Sequence, residues 1–219
     1  MPIDIMNHQE KRLDILSKIP NRGYSDIWDT CCDHGKLGYK LIRHFPNSLI
    51  HFNDIVPHII EKLKTKLYNV PSERYTLNTL DARNIKVSND NTLIYICGIG
   101  GKMAIEIVND LVFNNTNDFD LILCTHYHQH ELRESLRDLN FKLIQSDLIV
   151  HQGQQYEMLY ISRSRGVTIP PLSEELFNKD CEKSRAYFEK SMNHFKKNAN
   201  FSEKSKEIYT FYRSLLSFE

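Results

Sequence analysis

The 219-residue chain is expected to be an α/β protein: an open sheet built from alternating strands and helices, followed by a helical hairpin. Three observations predict this. From about Asn7 to Leu139, short apolar and β-branched runs alternate with stretches at helical spacing, the pattern of parallel strands joined by helical crossovers. Two extended runs, Phe141 to Val150 and Tyr156 to Arg163, then follow with only Gln152-Gly153-Gln154-Gln155 between them, short enough for a hairpin. Beyond Arg165-Gly166 and Pro170-Pro171 the periodicity is helical. The chain is therefore divided into residues 1–165 and a helical appendage, residues 166–219.

Asn7 to Ile19 reads as a helix, because Leu13, Leu16 and Ile19 recur at helical spacing and Pro20 stops it. Arg12 falls on its polar side. Strand one runs from Ser25 to Thr30. The loop Asp29-Thr30-Cys31-Cys32-Asp33-His34-Gly35-Lys36-Leu37-Gly38 follows, then a helical run from Tyr39 to Phe45. Strand two is Leu49 to Asp54. The helix from Val56 to Leu67 buries Ile59, Ile60, Leu63 and Leu67, and its other face carries Lys62, Lys64 and Lys66. Strand three is Tyr75 to Leu80, ahead of Asp81-Ala82-Arg83. Strand four, Thr92 to Cys97, ends in Gly98-Ile99-Gly100-Gly101 and a helix to about Val112. Strand five is Phe119 to Cys124, with a helix from Glu131 to Leu139. In the appendage, Leu172, Leu176, Cys181, Phe188, Met192 and Phe195 form one apolar stripe. Ile208, Phe211, Tyr212, Leu215 and Leu216 form a second, and Asn198-Ala199-Asn200 breaks the two apart.

Composition removes several function classes. Lys+Arg and Asp+Glu both number 28, so no global field draws the chain to nucleic acid or anionic lipid. Any nucleic-acid contact must be local; Lys183 to Glu219 holds eight Lys/Arg against four Asp/Glu. No apolar run approaches the roughly 18 residues of a membrane span, and Met1 to Lys11 lacks a secretory core. The five cysteines show no disulfide framework. A reduced, cytoplasmic protein is expected.

The organising loop narrows the ligand. In an open α/β sheet, the loop after the first strand is where nucleotide-like ligands sit. Here Asp29 and Asp33 flank that turn. Two carboxylates repel a phosphate and suit a ligand with positive charge. S-adenosylmethionine carries a sulfonium and an ammonium and no phosphate. Asp54 closes strand two, where a carboxylate accepts hydrogen bonds from ribose hydroxyls. Asp81 closes strand three, and Gly98, Gly100 and Gly101 close strand four. Asp33 also reads as an N-cap for the next helix. Cys31, Cys97 and Cys124, with His34 and His126, lie near strand ends but lack C-x-x-C spacing, and no metal is expected.

Arg12-Leu13, Asp29-x-x-x-Asp33-His34, Asp54 with Pro57, Asp81, Gly98-Ile99-Gly100-Gly101, Arg133 and Tyr156-Glu157 stand in an order that resembles the TrmK family. Those are bacterial tRNA adenine-N1-methyltransferases acting at position 22. The resemblance covers roughly Lys11 to Arg163, and the terminal helix pair looks like that family's appendage. It implies a class I methyltransferase, Rossmann-like sheet of seven strands with the last antiparallel. It further implies S-adenosyl-L-methionine as cofactor and tRNA as partner, with no membrane. Asp33 is then the catalytic residue. Asp29, Cys31, His34, Asp54, Ile55, Asp81, Ala82, Gly98 and Gly100 contact the cofactor. Arg12, His126, Tyr127 and Arg133 contact the substrate. The chain departs from the family at Cys31 (usually glycine), Gly35 (alanine) and Ile99 (methionine). It also departs at Cys124-Thr125-His126-Tyr127, where the family tends to have Gln-Pro-Asn. That last departure lies on the substrate side, so other acceptors stay open: another RNA, a small molecule, or nucleoside or RNA binding without transfer. The oligomeric state is unspecified, and a monomer is compatible.

Overall fold

A computed structural model describes residues 12–217. Seven α-helices and eight strands follow one another among the described residues: α1 Arg12–Lys18, β1 Asp26–Thr30, α2 Lys36–His44, β2 Leu49–Asp54, α3 Pro57–Lys66, β3 Tyr75–Thr79, β4 Thr92–Gly100, α4 Gly101–Asn114, β5 Asp120–His126, α5 Gln129–Asp138, β6 Lys142–His151, β7 Gln154–Ser162, β8 Val167–Thr168, α6 Glu182–Asn198 and α7 Glu203–Ser217. The Asn7 to Lys11 part of the expected first helix lies outside the described residues.

The strands form one sheet in the order β3-β2-β1-β4-β5-β7-β6-β8. β1 to β5 pair parallel with one another; β7 inserts antiparallel between β5 and β6. The seven expected strands are all present. The eighth is two residues long, pairs with the edge of β6, and lies just past the boundary placed at Arg165-Gly166. The β6–β7 turn is tighter than expected. Gln152 and Gly153 alone span it, both with positive φ (50° and 73°), the turn geometry that matches strand twist.

Each face of the sheet is covered. On one side Leu16, Leu37, Leu41, Phe52, Leu63 and Tyr95 share a core under α1, α2 and α3. On the other, Ile94, Ile96, Ala104, Val108, Leu111, Leu132 and Leu136 pack under α4 and α5. β4 and β5 are apolar on both faces, with Leu93, Tyr95 and Ile122 in one core and Ile94, Ile96, Leu121 and Leu123 in the other, so they read as continuous hydrophobic runs rather than alternating ones. Helices α6 and α7 pair through Phe188, Ile208 and Tyr212, and Leu148 of β6 joins that cluster.

Candidate active site

The carboxyl ends of β1 to β5 lie along one edge of the sheet, as parallel pairing requires. The loop between β1 and α2 crosses that edge in an unusual backbone. Cys31 and Asp33 both take left-handed φ (52° and 48°), a conformation that costs a side-chain-bearing residue about 1–2 kcal/mol. Hydrogen bonds to the neighbouring strand hold it. Cys32 N–H donates to Asn53 O (3.0 Å) and Asp33 N–H to Asp54 Oδ2 (3.1 Å).

Asp29 does not face open solvent. It is buried and accepts the Gly38 N–H at 2.8 Å, which fixes the first turn of α2 from inside the sheet. Burial pushes its pKa up to about 7, opposed by the Gly38 bond and reinforced by the charge of Asp54. Gly38 is required there: a Cβ would stand 2.7 Å from Phe52 Cζ. Gly35 occupies the N-cap, and no side chain caps α2. Asp33 is therefore not a helix cap. Its exposed carboxylate lies 2.7 Å from His34 Nδ1, and that hydrogen bond holds it below the usual aspartate value.

Asp54 is buried, and its oxygens accept N–H groups from Asp33 and Val56 (3.0 Å). Each oxygen keeps a lone pair for a further donor. A cleft of about 200 Å³ opens beside it, lined by Cys31, Asn53, Ile55, Leu80, Asp81, Ala82, Met103 and Ile107 among others. Ile55 and Met103 are exposed apolar side chains that offer flat surface to an aromatic ring. Asn53 Oδ1 is buried without a hydrogen-bond partner, an acceptor whose cost a donor from a ligand would relieve. Asp81 holds the exposed Arg83 in a forked pair (Nη2 to Oδ2 2.6 Å), which keeps its carboxylate ionised. An adenosine fits this donor set: apolar walls for the base, carboxylates for hydroxyl and amine donors.

A second group forms at the ends of β4, β5 and β7. The Arg12 guanidinium lies 4.5 Å from the centre of the Tyr156 ring, and His126 meets the same ring edge-on at 5.1 Å. Burial, then the Arg12 charge, holds His126 below the usual histidine value, so it is neutral at pH 7. Tyr127 projects into solvent beside it. The two halves of the site interlock at Gly101, where a Cβ would lie 2.6 Å from Tyr127 O. Gly98 has φ 80°, and the space over it leads to Arg12.

The structure thus brings Cys31, Asp54, Ile55, Asp81 and Ala82 together around the cleft, while Asp29 is buried under the start of α2. Asp33 and His34 stand at its loop, and Gly98, Gly100, Arg12, His126 and Tyr127 at the neighbouring strand ends. Arg133 is placed elsewhere, and this corrects its reading as a substrate contact. It is fully buried and donates to Glu157 (2.9 Å), Pro170 O (2.8 Å) and Glu175 (2.7 Å), so its five N–H groups face inward. Glu157 also accepts from Ser173 (2.7 Å) and Tyr187. Burial works against the Arg133 charge, but the two glutamates outweigh it. Sequence reasoning missed Asn53, Met103 and Tyr156 as site residues. Tyr156 had a signal, since in β7 it alternates with Glu157 and so faces the opposite side. Among the described residues no group of His, Cys, Asp and Glu is arranged to hold a metal ion.

A family model described as a methyltransferase domain matches residues 9–159. The chain belongs to that methyltransferase family. It is 25% identical over 172 residues to malonyl-[acyl-carrier protein] O-methyltransferase 1 of Ilyobacter polytropus, a match covering 70% of this chain and 58% of that protein. Solved structures share its fold over nearly the whole chain. M. capricolum TrmK, in complex with S-adenosyl-homocysteine, gives a TM-score of 0.75 at 17% identity, covering 95% of this chain and 96% of that one. The B. subtilis M1A22 tRNA methyltransferase TrmK gives 0.73 at 18% identity, covering 94% of both. Magnesium protoporphyrin IX methyltransferase from Synechocystis, with bound SAM, covers only 69% of this methyltransferase, with a TM-score of 0.53.

Proposed function

We propose that this methyltransferase transfers a methyl group from S-adenosyl-L-methionine to N1 of an unpaired adenine in tRNA, position 22 by likeness to TrmK. The observation that carries the reading is the convergence of two acidic strand ends, Asp54 and Asp81, on one cleft, beside the cation–aromatic group of Arg12, Tyr156 and His126. The likeness to TrmK supports it, because it extends over 95% of the chain while the likeness to the porphyrin enzyme extends over 69%.

Asp54 and Asp81 would hold the adenosine, with Ile55 and Met103 against its base. When bound, the sulfonium supplies a methyl group to the N1 lone pair and keeps the S–C electrons as a neutral thioether. No proton must leave first, so orientation and electrostatics supply the catalysis. N1 lies on the pairing edge of the base, which must leave the stack to reach the site. The exposed Tyr127 offers a stacking face for it. Asp33, kept ionised by His34, accepts a hydrogen bond from the exocyclic amine as positive charge spreads over the ring.

Two measurements test this. Mass spectrometry of tRNA nucleosides from cells with and without the gene should show loss of N1-methyladenosine. Single-turnover transfer by Asp33→Asn should fall by about 10²–10³, the scale of one electrostatic stabiliser, with a smaller change in cofactor affinity. Unchanged tRNA nucleosides, with methylation of a small acid instead, would overturn the proposal.

A further inference from the structure

A second cleft, of about 110 Å³, opens on the far side of the β1–α2 loop from the cleft at Asp54. It is lined by Asp33, His34, His58, Ile59, Lys62, Leu63 and Lys66. Ile59 and Leu63 form its floor. Lys62 and Lys66 are one helical turn apart on α3, so their side chains rise from the same face. Both are exposed. Neither has a carboxylate within ion-pair distance among the described residues; Lys66 Nζ rests 3.5 Å from the His34 carbonyl. Lysines on a solvated helix face usually diverge into water. Here two converge with two imidazoles on one concavity, and the one acid at its rim, Asp33, is already paired with His34.

We infer that this cleft holds a backbone phosphate of the RNA, next to the nucleotide presented to Asp33. This rests on the tRNA reading above and names a part of the contact that the reading leaves open. Two unpaired ammonium groups beside a short apolar floor suit one compact, doubly exposed anion rather than a flat ring. The position is also apt, because the lining includes the residue proposed to touch the acceptor base. A phosphodiester belongs within one nucleotide of that base. Lysine serves here as a point charge, so the contact positions the strand without reading its sequence.

The test compares the full chain with the double variant Lys62→Ala/Lys66→Ala and its partner Lys62→Arg/Lys66→Arg. Equilibrium binding of an unmodified tRNA transcript is measured across a salt series, beside cofactor titration and thermal unfolding. The alanine variant should bind tRNA about 5–30-fold more weakly. The slope of log K against log salt should shrink by about 1, the share of one phosphate contact. Rate at saturating tRNA and cofactor affinity should stay at the parent values, and the arginine variant should restore both affinity and slope. Parent-like tRNA binding and slope in the alanine variant would overturn this inference alone. A parallel loss of cofactor affinity would overturn it too, by making the cleft part of the cofactor site. A parent chain that neither binds nor methylates tRNA would instead remove the function on which the inference stands.

Discussion

Arg133→Ala offers the sharpest test of how the appendage is joined to the sheet. The guanidinium projects from α5, is fully buried, and reaches β7 and the segment before α6 through Glu157, Pro170 O and Glu175. Removing it strands Glu157, whose side chain is 0% exposed, with only the Ser173 and Tyr187 hydroxyls as donors. Breaking a buried pair in this way costs about 3–5 kcal/mol, mostly from the uncompensated charge. At about 2–4 °C per kcal/mol for a chain of this size, the melting temperature should drop by roughly 6–20 °C. The double variant Arg133→Met/Glu157→Gln removes both charges and leaves an amide oxygen for Ser173 and Tyr187. It should regain more than half of the loss. Urea unfolding of Arg133→Met, Glu157→Gln and their double variant gives the coupling directly. A loss below about 1 kcal/mol for Arg133→Ala, with weakened tRNA binding, would refute this reasoning and return Arg133 to the substrate surface.

Three further outcomes are expected. Gly38→Ala presses a methyl onto the buried Phe52 ring and should destabilise by about 1–3 kcal/mol, as overpacking does, read by chemical unfolding. Asp29, with its pKa raised to about 7, is protonated below pH 7 in the free protein. Its contribution to stability is complete near pH 4 and is lost as pH rises through 7. A cationic ligand favours the ionised form, so S-adenosylmethionine affinity should rise from pH 5 to 7 and then level. Calorimetry in buffers of different ionisation enthalpy should show proton release, and buffer-independent heats would sink the idea. Tyr156→Ala removes the face on which Arg12 rests. It should raise KM for tRNA with little change in cofactor affinity, measured by steady-state transfer and cofactor titration.

Much of this architecture was readable because parallel strands buried on both faces leave unbroken apolar runs, as in Leu93 to Ile96. The β6–β7 hairpin was readable from its glycine. The acidic strand ends were readable as a set, since Asp29, Asp54 and Asp81 each stand at the carboxyl end of a strand-like stretch. Their separate jobs were not. Asp29 serves Gly38, nine residues on, and only the packed α2 reveals that bond. The family resemblance alone put Arg133 on the substrate. Its partners are 24, 37 and 42 residues away, beyond any local pattern. The two-residue β8 is too short to carry a periodic signal. Deleting residues from Leu172 onward would uncover Leu148 and Glu157.

Cys31 bears on self-inactivation. Its left-handed backbone places a sulfur in the wall of the cleft beside Asp54, where the adenosine of the methyl donor is proposed to lie. A thiolate there would be a competing acceptor and would alkylate itself. Burial, followed by the charges of Asp54 and Asp29, pushes this thiol up to about 11. At pH 7 only about one molecule in 10⁴ then carries the nucleophilic form. The same carboxylates that would draw in the cationic donor thus silence the nearest rival for its methyl group.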